Sequence, residues 1–447
     1  MFHSINAYTG ETLCRRPAQS YAEFAQELAA LKVRQQAFAR LGVTGRTALL
    51  QAFAERLAQN KERLAEMVCE EVGRCLHECR AELDKSVELI RYYVRLATEL
   101  LAHKTIATQA SLSQVRFEPL GVVLAVMPWN YPVWQVLRFA IPALCAGNAC
   151  AVKPAPSVAR VSAALLELVS DELPLIGAWL NNDDALKAIE DTDAMAFTGS
   201  TRTGRLLAAH AGMHLKKTVL ELGGSNPFIV MPDADLERAA VEACYSRFRD
   251  AGQSCNAAKR IVVTEAVADR FIPLFLAECA KLQTGDPKDP ATTLAPLHRE
   301  DLRANVHAQV QDAVAHGAQV LTGGFIPEGK GWFYPATVLD KVNPDCRVWN
   351  EEVFGPVAMI LRAKDEEHAV ALANDTPYGL GASIYTADTR RAWAFAEKIQ
   401  AGSVFINRHT SSDLRLPFGG VKASGYGREL SEFGLYEFVN VKTYWQK

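Results

Sequence analysis

Residues 121–127 read Gly-Val-Val-Leu-Ala-Val-Met, a run with no polar side chain and no alternation. Such a strand belongs where both faces of a sheet are covered, as in a parallel sheet. Parallel strands need long crossovers, usually helices. The chain supplies them in alternation: a helix after Pro132, a strand at Ala149–Val152, a helix over 158–171, a strand at Ala194–Phe197 and a helix after Gly204. A second series starts near Glu221. Its strands are expected at 227–230, 260–263, 358–361 and 403–406, with helices over 235–248, 267–282, 301–316, 366–373 and 388–400. The pattern predicts an α/β fold of doubly wound parallel sheets. A length of 447 residues leaves room for about three structural units.

Two stretches stand apart. Residues 20–102 carry apolar positions at helical spacing, with a break from Gly42 to Gly45. Residues 105–108 and 113–117 alternate like an exposed hairpin, and the tail 436–445 reads as a strand. Bare strand edges need cover, which predicts a partner subunit. Lys and Arg number 48 against 51 Asp and Glu, giving a net charge of −3 with no basic tract, so nucleic acid is not expected as a partner. No apolar run reaches the roughly 18 residues of a membrane span. The first residues lack a signal peptide's basic start and apolar middle. Ten scattered cysteines fit a reducing compartment, the cytoplasm. One cluster, Cys69, Cys75, His77 and Cys79, has metal-ligand chemistry. It lacks paired C-x-x-C knuckles and reads as buried helical thiols, so no metal is expected.

Four segments carry chemistry. Gly252-Gln253-Ser254-Cys255-Asn256 sets a cysteine among small and polar residues, with Lys259 and Arg260 following. Positive neighbours and a helix N-terminus would lower its pKa and make it a nucleophile; the plainer reading is an inert core thiol. Leu220–Pro227 places Glu221 at the end of an apolar run, before two glycines. Buried, it is a base of raised pKa; otherwise it is a capping or salt-bridged Glu. Phe197–Gly204 gives a strand, a glycine turn and a helix start whose N–H groups face an anion, though it is neither G-x-G-x-x-G nor a P-loop. Met127–Pro132 sits at the C-terminal edge of a parallel strand, where open sheets bind ligands. Asn130 there either donates to an oxyanion or satisfies a local turn.

In this order, and together with Glu351–Val357 and Leu416–Glu429, these segments resemble the aldehyde dehydrogenase superfamily from about residue 5 to the chain end. The resemblance implies a dinucleotide-binding domain from 1–103 and 120–222 and a catalytic domain over 223–435. It also implies a small β bridging element, 104–119 with 436–447, that joins subunits into a homodimer or homotetramer. Cys255 matches the nucleophile. Asn130 matches the oxyanion donor, and Glu221 the base that releases a free acid. NAD or NADP is the implied cofactor. Lys153 and Glu352 match ribose contacts, Ser200 a pyrophosphate contact, and Phe354 a contact near the nicotinamide. Trp129 matches a residue of the cleft, with Gly199 and Gly204 shaping the turn.

Two departures matter. Many NAD-preferring members carry Glu three residues after the lysine, where Pro156 stands here. Without that carboxylate a 2′-phosphate is not repelled, and Lys153 and Ser157 are placed to contact it. Lys153 to Gly199 spans 46 residues, shorter than the family pattern, and Leu173–Trp179 reads as a trimmed link. The short N-terminus and Pro-Trp-Asn-Tyr-Pro-Val-Trp most resemble the bacterial short-type succinate-semialdehyde dehydrogenase branch. That branch implies an aldehyde with a remote carboxylate. Arg138 lies eight residues after Asn130, on nearly the same helix face, and is the expected anchor. Arg415 and Ser412 are its expected helpers, with Tyr131, Trp134 and Phe418 as apolar walls. Other ω-carboxy or aliphatic aldehydes are the alternative substrates. A cysteine hydrolase using Cys255 and Glu221, with no dinucleotide, is the rival from another class.

Overall fold

A computed structural model describes all residues, 1–447. Two parallel sheets organise it, and their strands are the near-continuous apolar runs. In the first sheet the spatial order is Gly425–Tyr426, Lys217–Glu221, Ala194–Thr198, Val122–Val126, Ala149–Lys153 and Leu175–Gly177. All pairings are parallel except that of Gly425–Tyr426 with Lys217–Glu221. In the second the order is Gln319–Thr322, Thr337–Asp340, Val357–Ala363, Ala258–Thr264, Asn226–Val230, Gly381–Tyr385 and Ser403–Ile406. Only the Gln319–Thr322 edge is antiparallel. Every residue of Ala149–Lys153, Ala194–Thr198 and Asn226–Val230 is buried, as strands covered by helices on both faces require.

The helical stretch resolves into Tyr21–Arg40, Gly42–Gln59, Lys61–Val72 and Leu76–Leu100. Ser20 and Glu23 close a reciprocal capping box at the first of these. The break falls at Leu41, just before Gly42, and Gly45 lies inside the next helix. Cys69, Cys75 and Cys79 are buried while His77 is exposed, so the three thiols pack as core groups.

Several elements differ from the sequence reading. Leu173–Trp179 contains the strand Leu175–Gly177, which adds an edge to the first sheet. The helix Asn182–Asp191, the hairpin Phe2–Ile5 with Thr12–Arg16, and the strands Gln319–Thr322, Thr337–Asp340 and Gly381–Tyr385 are further elements that the sequence reading does not include. The expected helix 158–171 is the shorter Ala159–Leu166. The helix expected after Gly204 begins earlier, at Thr201, capped by Ser200. The segment 418–439 does not stay with the second sheet. Phe418, Leu430, Leu435, Phe438 and Val439 are buried in the core of the first.

A third sheet orders Val439–Gln446, Leu112–Pro119 and Lys104–Thr105, all antiparallel. The tail thus pairs with the hairpin of its own chain, and the helix Ser431–Tyr436 precedes it.

Candidate active site

Three loops converge where the C-terminal edge of the first sheet meets the second. Glu221 ends the strand Lys217–Glu221, and Asn130 follows Val122–Val126. Cys255 comes from the loop before the strand Ala258–Thr264. That loop is tightly wound. Asp250, Ala251 and Gly252 all have positive φ, and a Cβ on Gly252 would lie 2.5 Å from the Gly355 carbonyl oxygen. The close approach permits only glycine there.

Cys255 is partly buried in a turn and not at a helix N-terminus. Burial pushes its thiol up to about 11, with Arg138 and Lys259 acting in the opposite direction. The expected depression therefore does not occur. Arg260 spends its guanidinium on the carbonyls of Ser225, Leu372 and Ala373. Lys259 donates to the carbonyls of Ser254 and Cys255, both at 2.9 Å, and pairs with Glu352 at 3.3 Å. It therefore holds the nucleophile loop against Glu352.

Glu221 is boxed in by Thr198 on one neighbouring strand and Gly425 on the other. Neither of its carboxylate oxygens has a hydrogen-bond partner. Burial, reinforced by the Glu429 carboxylate, raises it well above the usual carboxylate range, against the pull of Arg138. A buried acid without donors is the environment of a base. Asn130 donates from Nδ2 to the Gln253 carbonyl at 3.0 Å and accepts from Gln135 Nε2 at 3.1 Å. Its second N–H has no protein partner.

Cys255 lines two cavities at once. The larger, about 950 Å³, is also lined by Glu221, Asn130, Trp129, Lys153, Ser157, Gly199, Ser200, Glu352 and Phe354. Lys153 lines the cleft and is buried, which lowers its pKa; it makes no hydrogen bond or ion pair, and its ammonium lies 5.9 Å from the Phe2 ring centroid. With the N-terminus of the helix Thr201–Met213 beside it, the cleft fits a phosphate-bearing dinucleotide. Trp129 stacks on His298 at 4.2 Å and meets Phe354 edge-on at 5.7 Å. Ser157 bonds His298 Nε2 at 2.7 Å, and burial pulls that imidazole down to about 3. The Ser200 hydroxyl is spent as the helix cap on Thr203. Gly204 differs from its expected role. It lies inside the helix and outside the cleft, where a Cβ would stand 2.4 Å from Leu222 Cδ2. Its small size lets the helix pack on the sheet. Arg202, inside the Phe197–Gly204 segment, and Arg299, which no motif in the sequence marks, also line the cleft.

The smaller cavity, about 260 Å³, is lined by Tyr131, Trp134, Arg138, Ser412 and Phe418 as expected. Arg138, however, is ion-paired through Nε with the buried Glu429 and lies over the Phe418 ring at 4.9 Å. Arg415 is mostly exposed, paired with Asp413, and outside the cavity. Two cations missed by the sequence reading face the cavity instead. Lys85 stands over the Trp134 ring at 4.4 Å and donates to the Ser412 carbonyl at 3.0 Å and to its hydroxyl. No acidic partner pairs with it, and burial, with Arg138 and Arg249, lowers it to about 7. Arg249 bonds Asn256 Oδ1 at 3.3 Å and also lacks an ion pair. Its place six residues before Cys255 was the available signal; Lys85 offered none.

Comparison with known proteins agrees with this geometry. The aldehyde dehydrogenase family model matches residues 1–444. The NAD(P)+ succinate semialdehyde dehydrogenase Sad of Escherichia coli (strain K12) is 42% identical over 451 residues, covering 99% of this chain and 97% of that protein. An aldehyde dehydrogenase of Paenarthrobacter nicotinovorans is 41% identical, covering 99% of each. The crystal structure of succinic semialdehyde dehydrogenase from Streptococcus pyogenes, in complex with NADP+, superposes with a TM-score of 0.97 at 33% identity, covering 100% of this chain and 99% of that one. The chain belongs to the aldehyde dehydrogenase family. It is an oxidoreductase that oxidises an aldehyde with a nicotinamide dinucleotide, NAD or NADP.

Proposed function

We propose that the chain oxidises succinate semialdehyde, an aldehyde with a remote carboxylate, to the free dicarboxylic acid. One observation carries the substrate. Lys85 and Arg249 face the cavity that ends at Cys255 and neither forms an ion pair, although Asp250, itself paired with Arg74, also attracts Arg249. A partly buried cation without an ion pair is costly, and an ω-carboxylate supplies an anion. Tyr131 and Trp134 provide walls for a short methylene chain. The Escherichia coli and Streptococcus pyogenes relatives named for this substrate support the reading.

The chemistry follows from Cys255, at the junction of the cavities, with Glu221 and Asn130 in the larger one. Cys255 Sγ, its proton passed towards Glu221, bonds the aldehyde carbon. The free N–H of Asn130 and the Cys255 backbone N–H steady the alkoxide. A bound nicotinamide dinucleotide would supply the hydride acceptor, and loss of hydride from that carbon would leave a thioester on Cys255. Glu221, after giving that first proton up to solvent, takes another from water; the hydroxide attacks the thioester, and the C–S bond breaks to release the acid and the Cys255 thiolate, which is then reprotonated. Lys153, Ser157 and the backbone at Gly199–Ser200 would hold the dinucleotide, with Glu352 fixed by Lys259 for the ribose side. With Pro156 at the adenosine end, both NADP and NAD are accepted.

The ten free cysteines favour a reducing, cytoplasmic setting, and no helix is long and apolar enough to cross a membrane. The β element of 104–119 and 436–447 is the proposed homodimer or homotetramer contact. The decisive test is a kcat/KM panel against both cofactors, comparing succinate semialdehyde with uncharged aldehydes of equal length. Equal values across the panel would overturn the substrate while leaving aldehyde oxidation intact.

A further inference from the structure

Away from both cavities, one set of metal-ligating side chains converges. Glu190 lies at the end of the helix Asn182–Asp191. His210 lies in the last turn of the helix Thr201–Met213, and His214, four residues on, is its C-cap. That spacing puts both imidazoles on one helix face. His210 Nε2 is 3.0 Å from Glu190 Oε1, and His214 Nε2 is 3.7 Å from the same oxygen. One donor atom from each of the three residues lies within 4.8 Å of the others. A tetrahedral Zn²⁺ with bonds of about 2.0–2.2 Å sets its ligand atoms roughly 3.3 Å apart. The observed distances bracket that value.

The donor set also selects the ion. Two imidazoles and one carboxylate suit Zn²⁺ and similar dications, whereas Mg²⁺ and Ca²⁺ prefer oxygen ligands throughout. Three protein ligands leave a fourth position for water. The partly exposed imidazoles give the ion a path in. A single carboxylate oxygen shared between two imidazoles cannot fully satisfy both, and an ion between the three groups would.

We propose that Glu190, His210 and His214 form a binding site for Zn²⁺ or a like transition-metal ion, fastening the ends of these two helices together. The other ends of the same helices line the dinucleotide cleft through Asn182, Asp183 and Leu186 on one side and Arg202, Thr203 and Leu206 on the other. An ion at the far ends fixes the spacing of the two cleft walls, so it tightens dinucleotide binding without touching the reacting atoms.

The test uses Co²⁺ as a coloured probe on the full-length protein. Binding at this site gives d–d absorption without the sulfur-to-metal charge transfer that a cysteine ligand adds, and Zn²⁺ abolishes the colour by displacement. His210→Ala and His214→Ala should each weaken binding on the order of tenfold or more, since even losses around metal ligands cost that much. The double variant should lose it. Melting of the metal-free variants confirms that they fold, and Zn²⁺ should raise the melting temperature of the natural protein only. Unchanged Co²⁺ absorption in the double variant, thiolate charge transfer alone, or no binding at all overturns the site. A dinucleotide Kd that Zn²⁺ lowers in the natural protein but not in the double variant supports the coupling. A Kd unmoved by bound Zn²⁺ overturns the coupling alone.

Discussion

A carboxylate buried without a single donor weakens the fold wherever it is charged, and Glu221 is in that position. Its folded pKa lies above the unfolded value of about 4.3. Stability from the protonated form is therefore complete below that value and lost as pH rises through the raised one. Glu221→Gln should melt higher than the natural protein at neutral pH, with the gap closing towards about pH 4, while thioester hydrolysis slows. A lower melting temperature would mean that an unseen donor stabilises the charged acid. Cys255→Ala should abolish turnover. With its thiol raised to about 11, kcat/KM should climb with pH through the neutral range, which a pH profile reads directly. Lys85 has the opposite sign. It holds an anion only when protonated, so KM for an ω-carboxylate aldehyde should rise as pH passes about 7. Lys85→Met should raise that KM and remove its pH dependence, leaving uncharged aldehydes little affected. Arg138 now carries a different expectation from the anchor read in the sequence. Removing it strands the buried Glu429 beside Glu221, at a cost of about 3–5 kcal/mol. Arg138→Ala should lower the melting temperature and impair both kinds of aldehyde.

At the scale of elements, the legible part was whatever chemistry or burial ties to a local pattern. Unbroken apolar runs such as Val122–Val126 announced the parallel strands because both their faces are covered. Cys255, Glu221 and Asn130 were visible because each sits beside glycine or proline turns at a strand end. The short edge strand Leu175–Gly177 escaped because three residues carry no period. Lys85 escaped because its helix begins far upstream, and only folding brings it over Trp134. Gly204 was read as a turn residue although its small size serves helix–sheet packing against Leu222. The cofactor cleft offers a test at this scale. Pro156 opens a one-turn helix, Pro156–Val158, and is exposed at the cleft rim. Pro156→Glu would place a carboxylate there without disturbing the core. The NADP-to-NAD preference should then fall by about 1–3 kcal/mol, as expected for a charged hydrogen bond. An unchanged ratio would place the adenosine ribose elsewhere.

Across the whole molecule, the chain end closes the structure twice. Phe418, Leu430, Leu435, Phe438 and Val439 pack into the core of the first sheet, and Val439–Gln446 forms one edge of the three-stranded sheet. That edge is bare within the chain. Val441 and Trp445 lie on the same face by the two-residue period and are 60% and 52% exposed. A long apolar edge strand invites pairing with another chain, and natural proteins cover such edges or blunt them with charge. Here the covering element is proposed to be a second subunit. Val441→Glu with Trp445→Glu keeps the strand's backbone bonds to Leu112–Pro119 but puts two charges on the exposed face. The variant should show a lower mass by light scattering than the natural protein, with its melting transition retained because neither side chain is buried. An unchanged mass would move the subunit contact away from this sheet and leave the tail as an edge that the protein tolerates bare.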